Sequence, residues 1–172
     1  CALFSVRGYA NLLSNPGFED DPNELLHWDW VVRRSDVVVD QGSVAIRTNE
    51  PTAFERSNYI FGSNTLTHDF SVWQDVPLLG NGYRASDIDA GLHEVEFGGW
   101  QAGYDSDNDA GQISVRFLSE DATLLGSAQT AKDPLDSNWV ERTALAQLLP
   151  GTRTIRYQFD GFWNGGSNND AY

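Results

Sequence analysis

Methionine is absent from the 172 residues, even at position 1, so the expectation is a processed or trimmed chain. Cysteine occurs once, at Cys1, which excludes an intrachain disulfide, a paired-cysteine zinc site and a dithiol redox pair. Lysine also occurs once, at Lys132, and the formal net charge is −14. Such a surface repels phosphate backbones and anionic membranes, and it favours solubility and divalent cations. Nucleic acid is therefore not an expected partner. No apolar run approaches the ~20 residues that a helix needs to cross a bilayer. The three histidines, His27, His68 and His93, have neither HxH nor HExxH spacing, which argues against zinc. There is no GxSxG elbow and no phosphate-cradling glycine loop; Gly80-Asn81-Gly82 reads as a turn with no lysine and no helix after it. No Asn-x-Ser/Thr sequon occurs, which fits secretion by a bacterial route.

What remains is a chain of 40% hydrophobic residues, long enough for one domain with a real core. Its hydrophobic period is two. Short alternating or apolar runs cover 28–32, 37–39, 44–48, 70–76, 93–100, 112–118 and 152–159. Turn signals separate them: Asn15-Pro16-Gly17, Gly80-Asn81-Gly82, Asp133-Pro134 and Pro150-Gly151. The pattern predicts an all-β, two-layer antiparallel β-sandwich. Two runs show the alternation best. Ile113, Val115 and Phe117 share one face, leaving Gln112, Ser114 and Arg116 on a wet or ligand-facing side. Ile155, Tyr157 and Phe159 likewise leave Arg156 and Gln158 opposite. Val140 to Leu149 has some helical character, but the opening Trp139-Val140 favours a strand followed by a loop. The stretches 105–109 and 165–170 read as loops.

Asn11-Leu-Leu-Ser-Asn-Pro-Gly-Phe-Glu19 resembles the opening of bacterial carbohydrate-binding modules with a galactose-binding-like jelly roll. Later landmarks keep the same order: Trp28, Gly42 to Arg47, Gln74-Asp75-Val76, Gly99-Trp100-Gln101, Tyr104-Asp105, Val115 to Leu118, Pro150 to Arg156 and Asn169-Asp-Ala-Tyr172. The resemblance implies a jelly roll of roughly eight or more strands. It also implies a structural calcium ion with Glu19 as a ligand; Asn49 and Glu50 follow the second strand and are candidates to join it. A turn carboxylate is the plainer role for Glu19. Modules of this kind run on past the Asn-Asp-Ala-Tyr segment into a last strand. The expectation is therefore an extension or first strand over 1–10 and one sandwich domain over 11–172, its last strand missing. An edge left open in this way invites self-assembly by strand addition.

Six tryptophans exceed what a sandwich core needs. Aromatic faces stack on the C–H faces of sugar rings, and polar neighbours read the hydroxyls. The candidates are Trp100, Tyr104 and Trp163, which sit beside glycines or polar loop residues, and Trp73, which can lie on the polar face of its strand. Trp28, Trp30 and Trp139 read as core or rim packing. Arg84 completes the ligand set, and Arg47 and Arg116 can also donate bidentate hydrogen bonds, although salt bridges to abundant carboxylates are the simpler role. Asp105, Asp107 and Asp109 resemble the start of a calcium loop, but Ala110 and Arg116 stand where an EF-hand needs glycine and glutamate, so an acidic turn is expected.

The reading is a secreted or cell-surface, non-catalytic module that binds a glycan or cell-surface polysaccharide, with Cys1 a lipidation site if it is the mature N-terminus. The rival reading is a structural or adhesive subunit of a surface layer or extracellular filament. A glycan-processing enzyme would need two carboxylates facing each other across a cleft.

Overall fold

The computed structural model describes residues 2–6, 11–18, 28–32, 38–41, 54, 58–61, 68–105, 108–134 and 137–172. The strands are β1 (Ala2–Val6), β2 (Asp29–Val32), β3 (Val38–Gln41), β4 (Asn58–Phe61), β5 (Phe70–Pro77), β6 (Glu94–Gln101), β7 (Ala110–Leu118), β8 (Leu124–Gln129), the two-residue β9 (Asp133–Pro134), β10 (Val140–Gln147) and β11 (Thr154–Phe162). All pairings among them are antiparallel. The larger sheet has the order β2-β5-β11-β7-β8, with β9 on β7; the smaller is β1-β6-β10, and β3 pairs with β4.

Alternation builds the core. Phe70, Val72, Gln74 and Val76 of β5 are buried, as are Ile113, Val115 and Phe117 of β7 and Ile155, Tyr157 and Phe159 of β11. Val95 and Phe97 of β6 meet them from the smaller sheet. The segment Val140–Gln147 is a strand with strict two-residue alternation, as expected. The expectation of no helix after Gly80-Asn81-Gly82 is corrected: α1 (Ala85–Asp89) follows, one short turn that buries Ile88 completely. Its single apolar contact is too brief for a helical period to show in the sequence. Asp133-Pro134, read as a turn, pairs with β7. β4 and β8 were not foreseen, and 44–48 lies outside the described residues.

The opening motif acts as a clamp. Gln74 accepts from the Ser14 N–H at 2.7 Å and donates to the Ser14 carbonyl at 3.0 Å. The Trp28 indole donates to the Asn15 carbonyl at 3.1 Å, with Phe18 packed on its ring at 5.0 Å. Asn15 and Phe18 both have positive φ, 47° and 59°, so the turn bends the chain to bury Leu13 and Phe18 together.

At the other end of the sequence, 165–170 form a loop as expected, and Asn168 to Tyr172 are buried. The Asp109 carboxylate, itself buried, accepts from the Asn164 and Asp170 N–H groups at 2.7 and 2.8 Å. Tyr172 and Ala102 exchange two backbone hydrogen bonds, at 3.2 and 2.9 Å. Alternate residues of a strand bond to opposite neighbours. β6 bonds β10 through its odd-numbered residues, since the Leu148 N–H donates to the His93 carbonyl. Ala102 therefore faces the other neighbour, and Tyr172 enters the lane that β1 fills from Gly99 onward.

Candidate functional site

The outer face of the larger sheet lines up polar groups from four strands; Asp75 and Arg116 on it are exposed, whereas Ser114 and Gln158 are buried. Its registers define three rows. Trp73 of β5 lies opposite Gln158 of β11, which lies opposite Ser114 of β7, which lies opposite Gln129 of β8. One row along, the order is Asp75, Arg156, Arg116, Ser127. One row the other way, it is Ser71, Asp160, Gln112. Every second residue of these strands points this way because the alternate residues form the core.

The face is pre-organised. Arg156 donates two hydrogen bonds to Asp75, at 2.7 and 2.8 Å, with its guanidinium 5.1 Å from the Trp73 ring centre. That pairing holds the guanidinium over the indole ring. Asp160 accepts from the Gln158 amide at 2.6 Å and from the Ser71 hydroxyl. The Gln112 amide donates to the Thr130 carbonyl at 2.9 Å. Arg116 is exposed.

A second surface lies where β6 ends and β10 begins. Trp100 stacks on Phe54 with centroids 4.0 Å apart and planes 16° from parallel. Trp139 meets Phe54 and Tyr59 edge-on at 6.3 and 5.8 Å, and Tyr59 meets Tyr172 at 5.2 Å. Tyr104 packs on the same cluster. Beneath it, between the sheets, is a cavity of about 40 Å³ lined by Trp100, Gln101, Tyr157, Trp28 and Tyr172 among others. That is room for water, against ~300–1,000 Å³ for small-molecule pockets. The Gln101 Nε2 is buried with no hydrogen-bond partner among the described residues.

The five sequence candidates thus do not form one site. Trp100 and Tyr104 share the aromatic end. Trp73 lies on the open face. Trp163 follows β11 at the same end as Trp100, but its backbone N–H is held by Asp69 at 2.9 Å and its ring abuts His68 at 6.5 Å. Arg84 precedes α1 in the β5–β6 connection, at the opposite end of the sandwich. Trp28 is core, and Trp139 is half-buried rim. Glu19, Asn49, Glu50, Arg47, Cys1 and Asp107 lie outside the described residues. Among the described residues no group of three or more His, Cys, Asp or Glu side chains comes together to hold a metal. No helix among them is long and apolar enough to cross a membrane.

Sequence reasoning placed Arg156 and Gln158 on a polar face but not in a site. The missing signal was pairing: β11 lies between β5 and β7, which joins three separate polar faces into one.

No family model and no curated protein matches this sequence. Solved structures do share its fold. The enzymatically active domain of tailspike protein 4 from bacteriophage CBA120 superposes with a TM-score of 0.60 at 17% identity, covering 94% of this chain. This chain spans 20% of that tailspike chain. The module TmCBM61, solved in complex with β-1,4-galactotriose, gives 0.56 at 18% identity, covering 95% of this chain and 97% of its own. The CBM22-1 xylan-binding domain of Paenibacillus barcinonensis Xyn10C gives 0.50 at 11% identity, covering 82% and 85%. The fold is thus the jelly roll of carbohydrate-binding modules.

Proposed function

We propose that this chain is a secreted or cell-surface, non-catalytic domain that binds a polysaccharide across the open face of its larger sheet. The observation that carries the reading is Trp73, an indole set among hydrogen-bonding groups from β11 and β7. A sugar ring stacks on the indole, and the half-buried Arg156 and Asp160 beside it read its hydroxyls. An open face suits a long chain that enters and leaves freely, where the 40 Å³ internal cavity admits no sugar. Two carboxylates on the face, Asp75 and Asp160, support binding without bond breaking; a third, Asp29 of β2, stands opposite Trp73 in the register. Asp75 is committed to Arg156, and Asp160 to Ser71 and Gln158, so neither is poised as acid or nucleophile. Calcium held by Glu19, Asn49 and Glu50 belongs to the same proposal; the anchoring of Leu13 to Phe18 supports it by steadying the chain just before Glu19.

The test is calorimetric titration with β-1,4-galactan and with xylan, in calcium and again in chelator. Trp73→Ala is expected to weaken binding by roughly 5- to 150-fold, since losing one stacked ring removes ~1–3 kcal/mol by analogy with aromatic base stacking. Unchanged affinity in Trp73→Ala would move the site off this face. Trp100→Ala and Tyr104→Ala test the second surface, favoured by its partly exposed stack of Phe54 on Trp100.

A further inference from the structure

The open face carries a charge arrangement that neutral sugars do not require. Arg116 and Arg156 stand directly opposite each other on β7 and β11. Like charges in that position repel. Asp75 neutralises Arg156 through two hydrogen bonds. Arg116 is exposed, and its other cross-strand neighbour is Ser127, a neutral residue. It has no acidic partner among the described residues. Acids outnumber bases by 25 to 11 in this chain, so partners for an arginine are plentiful. An exposed guanidinium beside a second guanidinium, on the face that carries Trp73, offers donors suited to an anion.

We infer that the open face selects an anionic glycan, with Arg116 receiving a carboxylate or sulfate of the polymer while Trp73 stacks on a sugar ring. The inference rests on the proposed glycan-binding function and names the ligand class for that site. Guanidinium donors match both oxyanions in a two-pronged geometry that a neutral hydroxyl cannot fill. The spacing suits a polymer. Trp73 and Arg116 are two strands and one row apart, about 10 Å across the sheet at ~4.8 Å per strand. A ring on Trp73 therefore places the charge of a different sugar residue over Arg116. The overall charge of −14 repels polyanions at long range. Selection at this face is thus local, made by contact with Arg116 rather than by steering.

The experiment uses the full chain and three soluble polymers: neutral β-1,4-galactan, polygalacturonate, and a sulfated galactan. Wild type, Arg116→Gln, Arg116→Lys and Trp73→Ala are titrated against each. An acidic polymer is expected to bind wild type about tenfold more tightly than the neutral one, the scale of a charge-assisted hydrogen bond pair. Arg116→Gln should abolish that preference and leave neutral binding unchanged, and Arg116→Lys should keep part of it. Preference for polygalacturonate alone assigns a carboxylate, for the sulfated polymer alone a sulfate ester, and for both the shared anion. Equal binding of all three polymers, lost in Trp73→Ala but untouched in Arg116→Gln, overturns the anion inference and leaves the glycan reading standing. Binding of none of them overturns both. Arg116 is exposed, so unchanged melting of the glutamine variant separates loss of contact from misfolding.

Discussion

Tyr157 is buried to its hydroxyl, which donates to the Gly98 carbonyl of the facing sheet at 2.9 Å. Gly98 has no room for a side chain: a Cβ there would lie 2.1 Å from the Arg142 carbonyl oxygen. The hydroxyl ties the two sheets together, and Gly98 lets β10 lie close beside it within the smaller sheet. Burial also pushes the Tyr157 hydroxyl well above the usual tyrosine range. The folded state therefore favours the neutral phenol. Its contribution to stability is complete below the unfolded value near 10 and is lost as pH rises above it. Tyr157→Phe is expected to cost ~1–2 kcal/mol at neutral pH. The gap to wild type should narrow above about pH 10, where only the wild type has a phenol to ionise. Urea titrations at pH 7 and pH 10.5 check this. A gap that is constant across that range would show that the hydroxyl does not ionise on unfolding.

At the scale of elements, the ends of strands are held by side chains reaching across loops. Asp89 closes α1 onto the β10–β11 turn. It accepts from Arg153 at 2.9 and 3.0 Å and from the Gly151 N–H at 2.8 Å. The Arg153 hydrogen bonds, then the Gly151 N–H, hold its carboxyl below the usual value. The stabilisation is present above the unfolded carboxylate value near 3.9 and is lost as pH falls through the lower folded value. Asp89→Asn should melt lower at pH 6, with the difference closing towards pH 2.5; a difference that persists in acid would assign it to packing. The lane beside β6 makes a second element-scale prediction. Tyr172 faces Ala102 and Ala2 faces Gly99, running in the same direction. A strand joined to Tyr172 through two residues therefore comes into register where β1 now begins. Appending such a spacer and a second copy of the Ala2–Val6 sequence should expose the β1 amides to hydrogen exchange while β6 stays protected. Protection that remains on Ala2–Val6 would show that the lane is not shared. The same lane supports the alternative proposal of an assembling subunit, because a neighbour's strand would enter it with the same hydrogen bonds.

At the scale of the whole molecule, the residues on each strand were more legible than the neighbours of each strand. Two-residue alternation in 112–118 and 154–159 was enough to separate core from polar face, and the structure buries Ile113, Val115, Phe117, Ile155, Tyr157 and Phe159 accordingly. The absences narrowed the reading too: a single cysteine excludes an intrachain disulfide, and a net charge of −14 sets the expectation against nucleic acid. β8 escaped because Leu124-Leu125-Gly126 shows no clean alternation, and α1 because one buried residue makes no period. The candidate site was legible as single residues. Trp73 has a polar face because its strand alternates, which is local information. That Gln158, Ser114 and Arg116 lie beside it depends on β11 crossing the chain to run between β5 and β7. That pairing joins segments far apart in the chain, and no spacing within a strand encodes it. Composition and period by themselves determined an acidic all-β sandwich with more aromatic surface than its core uses. Only the tertiary structure decided which aromatics and which charges share a face, because strand order is set by packing between distant segments rather than by any segment alone.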